Sequence, residues 1–209
     1  MSKFEAFTSE NNFSPARESI EDLELKERYG LFIDGQWIAP QSDQYVMSYN
    51  PATGEPIAEV AVANQADVEL AVNAARAAYE GEWGTMPSAE RGKLMFRLAR
   101  LIQECSKELA LLESLDGGKP IRESRDVDLP LVAAHFFYHA GWADKLGYAF
   151  PGRSVRSLGV CGQVISWNFP LLMAAWKLAP ALACGNTVVI KPAENTALTL
   201  LRLAELIEE

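Results

Sequence analysis

No apolar run in this sequence is long enough to cross a bilayer: the greasiest stretch, Pro170 to Ala183, contains Lys177 and is interrupted by Pro180. The chain does not open on a basic segment followed by a hydrophobic one, and the acids among residues 1–28 argue against an organelle transit peptide. A soluble, cytoplasmic protein without a membrane partner is expected. Basic residues are in short supply, with 19 Lys and Arg against 28 Asp and Glu, a net charge of -9. The positive side chains are scattered, so no stripe follows a phosphate backbone and nucleic acid is not an expected partner. Cysteine is scarce too. Cys105, Cys161 and Cys184 form neither a disulfide framework nor a CxxC pair, which fits a reducing compartment. No structural metal is indicated, because His135 and His139, four apart on one helix face, lack the adjacent Glu of a zinc protease. The ordinary dinucleotide fingerprint G-x-G-x-x-G is missing, and Gly159-Val-Cys-Gly162 is too short to stand for it. Internal repeats and low-complexity tracts are likewise absent.

What is present is enough apolar residue, 49% of 209, to bury one substantial core. Residues 1–28 are polar and poor in periodic apolar positions, reading as a flexible tail or a short surface helix. From Leu31 the pattern changes. LFIDGQWIA places apolar residues on both sides of Asp34-Gly35 and predicts a hairpin, and Asn50-Pro-Ala-Thr-Gly54 supplies a second turn. A strand-like PIAEVAVA follows. Asn64, three residues before Asp67, predicts a helix N-cap for a helix from Gln65 to Tyr79. A second helical pattern opens at Pro87-Ser88 and continues to Ser114, before Asp116-Gly117-Gly118 breaks it. A third starts at Asp128 with Pro130 and runs through Ala140. Helices of this length need a surface to bury their stripes, and a sheet is the expected one.

The sheet enters with LGVCGQVIS, rich in β-branched residues. Helix follows from Pro170, a buried strand over Thr187–Lys191, and helix again from Thr196 to Glu209. This β-α-β-α order specifies parallel strands with right-handed crossovers. The fold class expected is α/β, an incomplete Rossmann-like parallel sheet with flanking helices and an N-terminal hairpin. The final helix has no glycine stop and two parallel strands leave open edges, so the sequence reads as cut rather than finished.

Ligands of such sheets bind beyond the carboxyl ends of the strands, which directs attention to Ser166-Trp167-Asn168-Phe169-Pro170 and Lys191-Pro-Ala-Glu194. The Asn168 carboxamide can donate to a developing oxyanion without changing charge; the competing role is a plain N-cap ahead of Pro170. Lys191 and Glu194 can clasp a ribose diol, or they can form a surface ion pair. Cys161, mid-strand, and Cys184, at a helix end, have no neighbouring base in sequence, and buried packing is expected of both.

The stretch GVCGQVISWNFPLLMAAWKLAPALACGNTVVIKPAENTAL closely resembles a segment of the NAD(P)-dependent aldehyde dehydrogenases. The resemblance extends upstream through FIDGQWIAPQSD, YNPATGEPIAEV, ERGKLMFRLARLI, LDGGKPIRES and FFYHAGWADKL, covering about Tyr29 to the end. It implies that Asn168 is an oxyanion-hole donor and that Lys191 and Glu194 contact the adenine ribose. Ile165, Ser166 and Trp167 would line the cofactor cleft, partly through backbone groups, with Lys177 near the active site. Ser166 stands where family members often have proline, which costs the loop a fixed φ. Relatives in the family carry, further downstream, a Gly-rich cofactor turn, a general-base Glu in an E-L-G-G-K context and a nucleophilic Cys; residues 1–209 contain none of them. The resemblance thus implies residues 29–209 as the N-terminal portion of a cofactor-binding domain with its hairpin and oligomerisation elements. The parent would be an NAD-dependent oxidoreductase, NADP being possible, that oxidises an aldehyde and assembles as a homo-oligomer. Residues 1–209 alone would be inactive. The alternative is a non-catalytic nucleotide-binding or interaction module related to the family.

Overall fold

The computed structural model describes residues 19, 20 and 23–209; of the tail expected over residues 1–28, residues 1–18, 21 and 22 lie outside the described residues, and Arg28 belongs to a strand. Strand β1 (Arg28–Tyr29) is followed by the predicted hairpin, β2 (Leu31–Ile33) paired antiparallel with β3 (Gln36–Ile38). Asp34 and Gly35 take φ of 54° and 69°, the left-handed pair of a turn whose twist matches the strands it joins. Strand β4 (Tyr45–Tyr49) runs antiparallel to β5 (Pro56–Ala61), and β1 pairs parallel on the other side of β5. The Asn50–Gly54 turn closes on the Asn50 carboxamide, which accepts from the Ala52 N–H at 2.9 Å. Neither β1 nor β4 is evident in the sequence pattern. In β4 the buried residue is a serine: Ser48 is 3% exposed and donates its hydroxyl to Asp116 at 2.6 Å, so no apolar alternation marks the strand.

Helix α1 (Gln65–Glu80) begins at the predicted cap. Asn64 Oδ1 accepts from the Asp67 N–H at 3.1 Å while the Asp67 carboxylate accepts from the Asn64 N–H at 2.9 Å, a reciprocal capping box. The short α2 (Glu82–Thr85) precedes α3 (Ser88–Glu104) and α4 (Ser106–Gly117). The single helix expected from Pro87 to Ser114 is therefore two, broken at Cys105. The break lets α3 pack on the later helix α6 (Leu129–Trp142) while α4 turns its Leu109 and Leu112 face toward the C-terminal helix α9 (Leu198–Glu208).

Between α4 and α6 the chain passes through α5 (Ile121–Glu123) and a widened π turn (Ser124–Asp128) that runs without interruption into α6. Asp128 accordingly does not start a helix as the sequence suggests. Its backbone is already helical and its carboxylate, 1% exposed, is turned to Lys119 rather than to a cap. After α7 (Leu146–Ala149), β6 (Val160–Val164), α8 (Pro170–Ala183) and β7 (Thr187–Lys191) form the predicted β-α-β unit, with β6 and β7 parallel and in register from Val160↔Thr187 to Val164↔Lys191. α9 starts two residues later than expected. The Thr196 side chain does not cap it; the Asp116 carboxylate, from α4, accepts from the Leu198 N–H at 2.9 Å instead.

The main core lies where α3, α6 and α8 meet, with Ile102, Phe136, Leu171 and Leu203 each 0% exposed. The expectation that the helices bury their stripes on a sheet is only partly met. α1 and α8 touch the parallel pair, but α3 and α6 pack on other helices. Arginine helps to close this layer: Arg91 of α3, 8% exposed, donates at 3.4 Å each to the Ala183 carbonyl at the end of α8 and to the Met86 carbonyl after α2. A second cluster of Tyr29, Ala58, Val60, Leu112 and Leu198 ties the N-terminal sheet to α4 and α9.

Candidate functional site

The two segments singled out by the sequence leave the sheet side by side. β6 and β7 end level, and the Ile165 N–H donates to the Lys191 carbonyl at 2.9 Å just past the last register pair. Ile165 is buried and anchors the turn, whereas Ser166, Trp167 and Asn168 are exposed. The residue that caps α8 is Phe169, with φ -142° and no side-chain cap bond. Of the two roles open to Asn168, capping is thus not the one adopted. Its carboxamide is left available at the rim of a cleft.

That cleft has a volume of about 170 Å³ and is lined by Glu113, Gly117, Lys119, Trp167, Asn168 and Pro170. Its far wall is the end of α4. Gly118 takes φ of 68° at the C-cap, a conformation an L side chain resists, and a Cβ there would lie 2.6 Å from Pro51 Cγ. The turn it makes delivers Lys119 into the cleft. The Lys119 ammonium lies 2.5 Å from Asp128 Oδ2 and 3.7 Å from the centre of the Phe169 ring, a cation held between a buried carboxylate and an aromatic face.

Glu113 is 0% exposed and neither of its carboxyl oxygens has a hydrogen-bond partner. Burial pushes its pKa from 4.5 up to about 7, with the Asp128 charge adding to the rise; the Thr199 hydroxyl, the Lys119 ammonium and the Leu171 N–H pull the other way. A carboxyl so placed is neutral below pH 7. Sequence reasoning passed over Glu113 and Lys119 and read Asp128 only as a helix start. A signal existed for the first: Glu113 shares the face of Leu109, Leu112 and Asp116, an acid on the inward stripe of an apolar helix.

Lys191 and Glu194 meet at 2.6 Å, with 57% and 74% of their side chains exposed, and Lys191 also donates to the Pro192 carbonyl at 3.1 Å. The hydrogen bond from Lys191 holds the Glu194 carboxyl below its ordinary range, so Glu194 is an ionised acceptor at neutral pH. This pair stands outside the cleft that contains Asn168. Lys177, on α8, donates to the Val164 carbonyl, and the Gln163 amide donates to the Lys177 carbonyl at 2.9 Å, which braces the end of β6 against α8.

Other candidates have structural surroundings. His139 Nδ1 is 2.8 Å from the His135 carbonyl, the two rings stack at 6.0 Å, and His135 lies edge-on to Trp176. Burial, then the His139 charge, lowers the His135 pKa. Among the described residues no group of three His, Cys, Asp or Glu side chains is placed to hold a metal ion. Cys161 and Cys184 are free and half-buried rather than fully packed away. No helix among the described residues is long and apolar enough to cross a membrane.

Residues 37–209 match the profile of the aldehyde dehydrogenase family. The chain is 48% identical over 198 residues to retinal dehydrogenase 2 of Homo sapiens, covering 90% of this chain and 38% of that protein. It is also 48% identical over 189 residues to the mitochondrial aldehyde dehydrogenase of Rattus norvegicus, covering 86% and 36%. Among solved structures, the NAD+ complex of an aldehyde dehydrogenase from Bacillus cereus superposes with a TM-score of 0.82 at 40% identity, covering 88% of this chain and 41% of that one. The chain thus spans well under half the length of these relatives.

Proposed function

We propose, since the chain belongs to the aldehyde dehydrogenase family, that it is the N-terminal part of an NAD-dependent enzyme oxidising an aldehyde to a carboxylic acid. The observation that carries the reading is the free Asn168 carboxamide on the rim of a cleft at the carboxyl end of a parallel strand. There its N–H groups can donate to the aldehyde oxygen as negative charge develops on it. Trp167 and Phe169, 61% and 39% exposed, flank the amide with apolar surface.

The residues at the strand ends suit a nicotinamide dinucleotide. Ile165, Ser166 and Trp167 would line the cofactor cleft, partly through backbone groups, and the ionised Glu194 with Lys191 offers both an acceptor and a donor to a ribose diol. When bound, the cofactor accepts the hydride. Glu194 would repel a 2′-phosphate, so NAD is the preferred form, NADP the lesser. The nucleophile and base are supplied by segments of the parent outside residues 1–209, and this chain contributes binding, orientation and charge stabilisation. We place the parent in the cytoplasm as a homo-oligomer.

The test is aldehyde-dependent NADH formation, followed by absorbance. The full-length parent should form NADH, and Asn168→Ala should lower its kcat on the order of 10²–10³-fold with KM little changed. Residues 1–209 alone should form none. An Asn168→Ala enzyme with native kcat would remove the assigned role, and turnover by residues 1–209 would overturn the division of parts.

A further inference from the structure

We propose that Glu113 is a positioning residue of the Asn168 site, its carboxyl group setting the start of α8 and thereby how the Ser166–Phe169 turn presents the Asn168 carboxamide. α8 opens without a side-chain cap, and Pro170 at its first turn has no N–H, so the fully buried Leu171 carries the first free donor of that helix end. Facing it from α4 is Glu113, itself fully buried, whose carboxyl oxygens form no hydrogen bond but lie near enough to the Thr199 hydroxyl and the Leu171 N–H for both to lower its pKa. The same Glu113 lines the cleft that Asn168 rims. A helix start favours an anion, and an ionised carboxyl offers more acceptor capacity than a neutral one. Protonation therefore removes the negative charge that the Leu171 N–H meets at this helix start.

On its other flank the turn is gripped through Phe169, whose ring lies 3.7 Å from the Lys119 ammonium. The charged groups that face Glu113 are Lys119, from the loop after α4, and Asp128, from the π turn; from α8 and α9 it meets a backbone N–H and a hydroxyl. Lys119 and Asp128 are bound to each other at 2.5 Å, whereas burial raises the pKa of the unpartnered Glu113 to about 7. The turn that carries Asn168 is thus flanked by the Leu171 N–H beside Glu113 and by the Phe169 ring beside Lys119, and the charge beside Leu171 depends on a proton.

The role given to Asn168 rests on the function proposed above; the coupling of Glu113 to Leu171 and Asn168 does not, and it is read without substrate or cofactor. In ¹⁵N-labelled residues 1–209, the Leu171 backbone amide and the Asn168 side-chain amide are followed by NMR across neutral pH. Both should shift with one common midpoint near pH 7, and both shifts should vanish in Glu113→Gln while the His135 ring titration persists. Flat Leu171 and Asn168 resonances in the unsubstituted chain overturn the proposal. So does an unchanged titration in Glu113→Gln. If that variant fails to fold, Glu113→Asp shortens the arm by one methylene and should reduce the Leu171 shift; an undiminished amplitude counts against the assignment. A carboxyl that served stability alone would leave the Asn168 amide without a titration.

Discussion

Replacing Glu113 by Gln should change the pH dependence of stability in a calculable way. The side chain is buried in the native state, where burial holds its pKa at about 7 against the ordinary 4.5. Between these values the native chain keeps a proton that the unfolded chain has released, so stability falls as pH rises through the window and levels off above about 7. At about 1.4 kcal/mol for each tenfold difference in proton affinity, the loss amounts to about 3 kcal/mol. Gln has nearly the same shape and no proton to lose. Urea unfolding of residues 1–209 at a series of pH values, with and without Glu113→Gln, therefore gives two curves that converge in acid and separate by about 3 kcal/mol by pH 8, the variant being the less destabilised. Asp116, whose pKa burial also raises, is present in both proteins and cancels in the difference. Parallel curves between pH 4.5 and 8 would refute the reasoning, because they would mean that the carboxyl ionises as easily inside the protein as outside.

Three further outcomes are expected. Asp67→Ala removes acceptors for the Asn64 and Gln41 N–H groups, at 2.9 and 3.0 Å, from a residue 1% exposed, and should cost about 2–4 kcal/mol in urea unfolding. Gly118→Ala forces a side chain into a left-handed φ and against Pro51, and should lower stability by about 2 kcal/mol or more; an unchanged thermal midpoint would show that the turn relaxes freely. In the full-length parent, Glu194→Gln should erode the preference for NAD over NADP, and unchanged selectivity would defeat the ribose assignment.

Local signals in the sequence carried far. The Asn64/Asp67 cap, the Asp34-Gly35 hairpin and the β6-α8-β7 order are each written in neighbouring residues, because caps, left-handed turns and crossovers are decided over a few positions. Strand β4 was illegible for the opposite reason: its inward residue is Ser48, made acceptable in a core only by Asp116, 68 positions away. The break at Cys105 was also invisible, since the helical pattern is continuous across it and the bend shows only in the packing, α3 lying mainly on α6 and α4 mainly on α9.

The site divides along the same line. By itself the sequence determined the family resemblance, the parallel unit and the residues at its carboxyl ends, Asn168, Lys191 and Glu194 among them. Tertiary structure decided that Asn168 is free rather than a cap, and that its cleft is walled by Glu113 and Lys119 instead of the Lys191–Glu194 pair. Burial and charge proximity are sums over segments distant in the chain. A glutamate on an apolar stripe becomes a neutral acid only when α8, α9 and the π turn close around it.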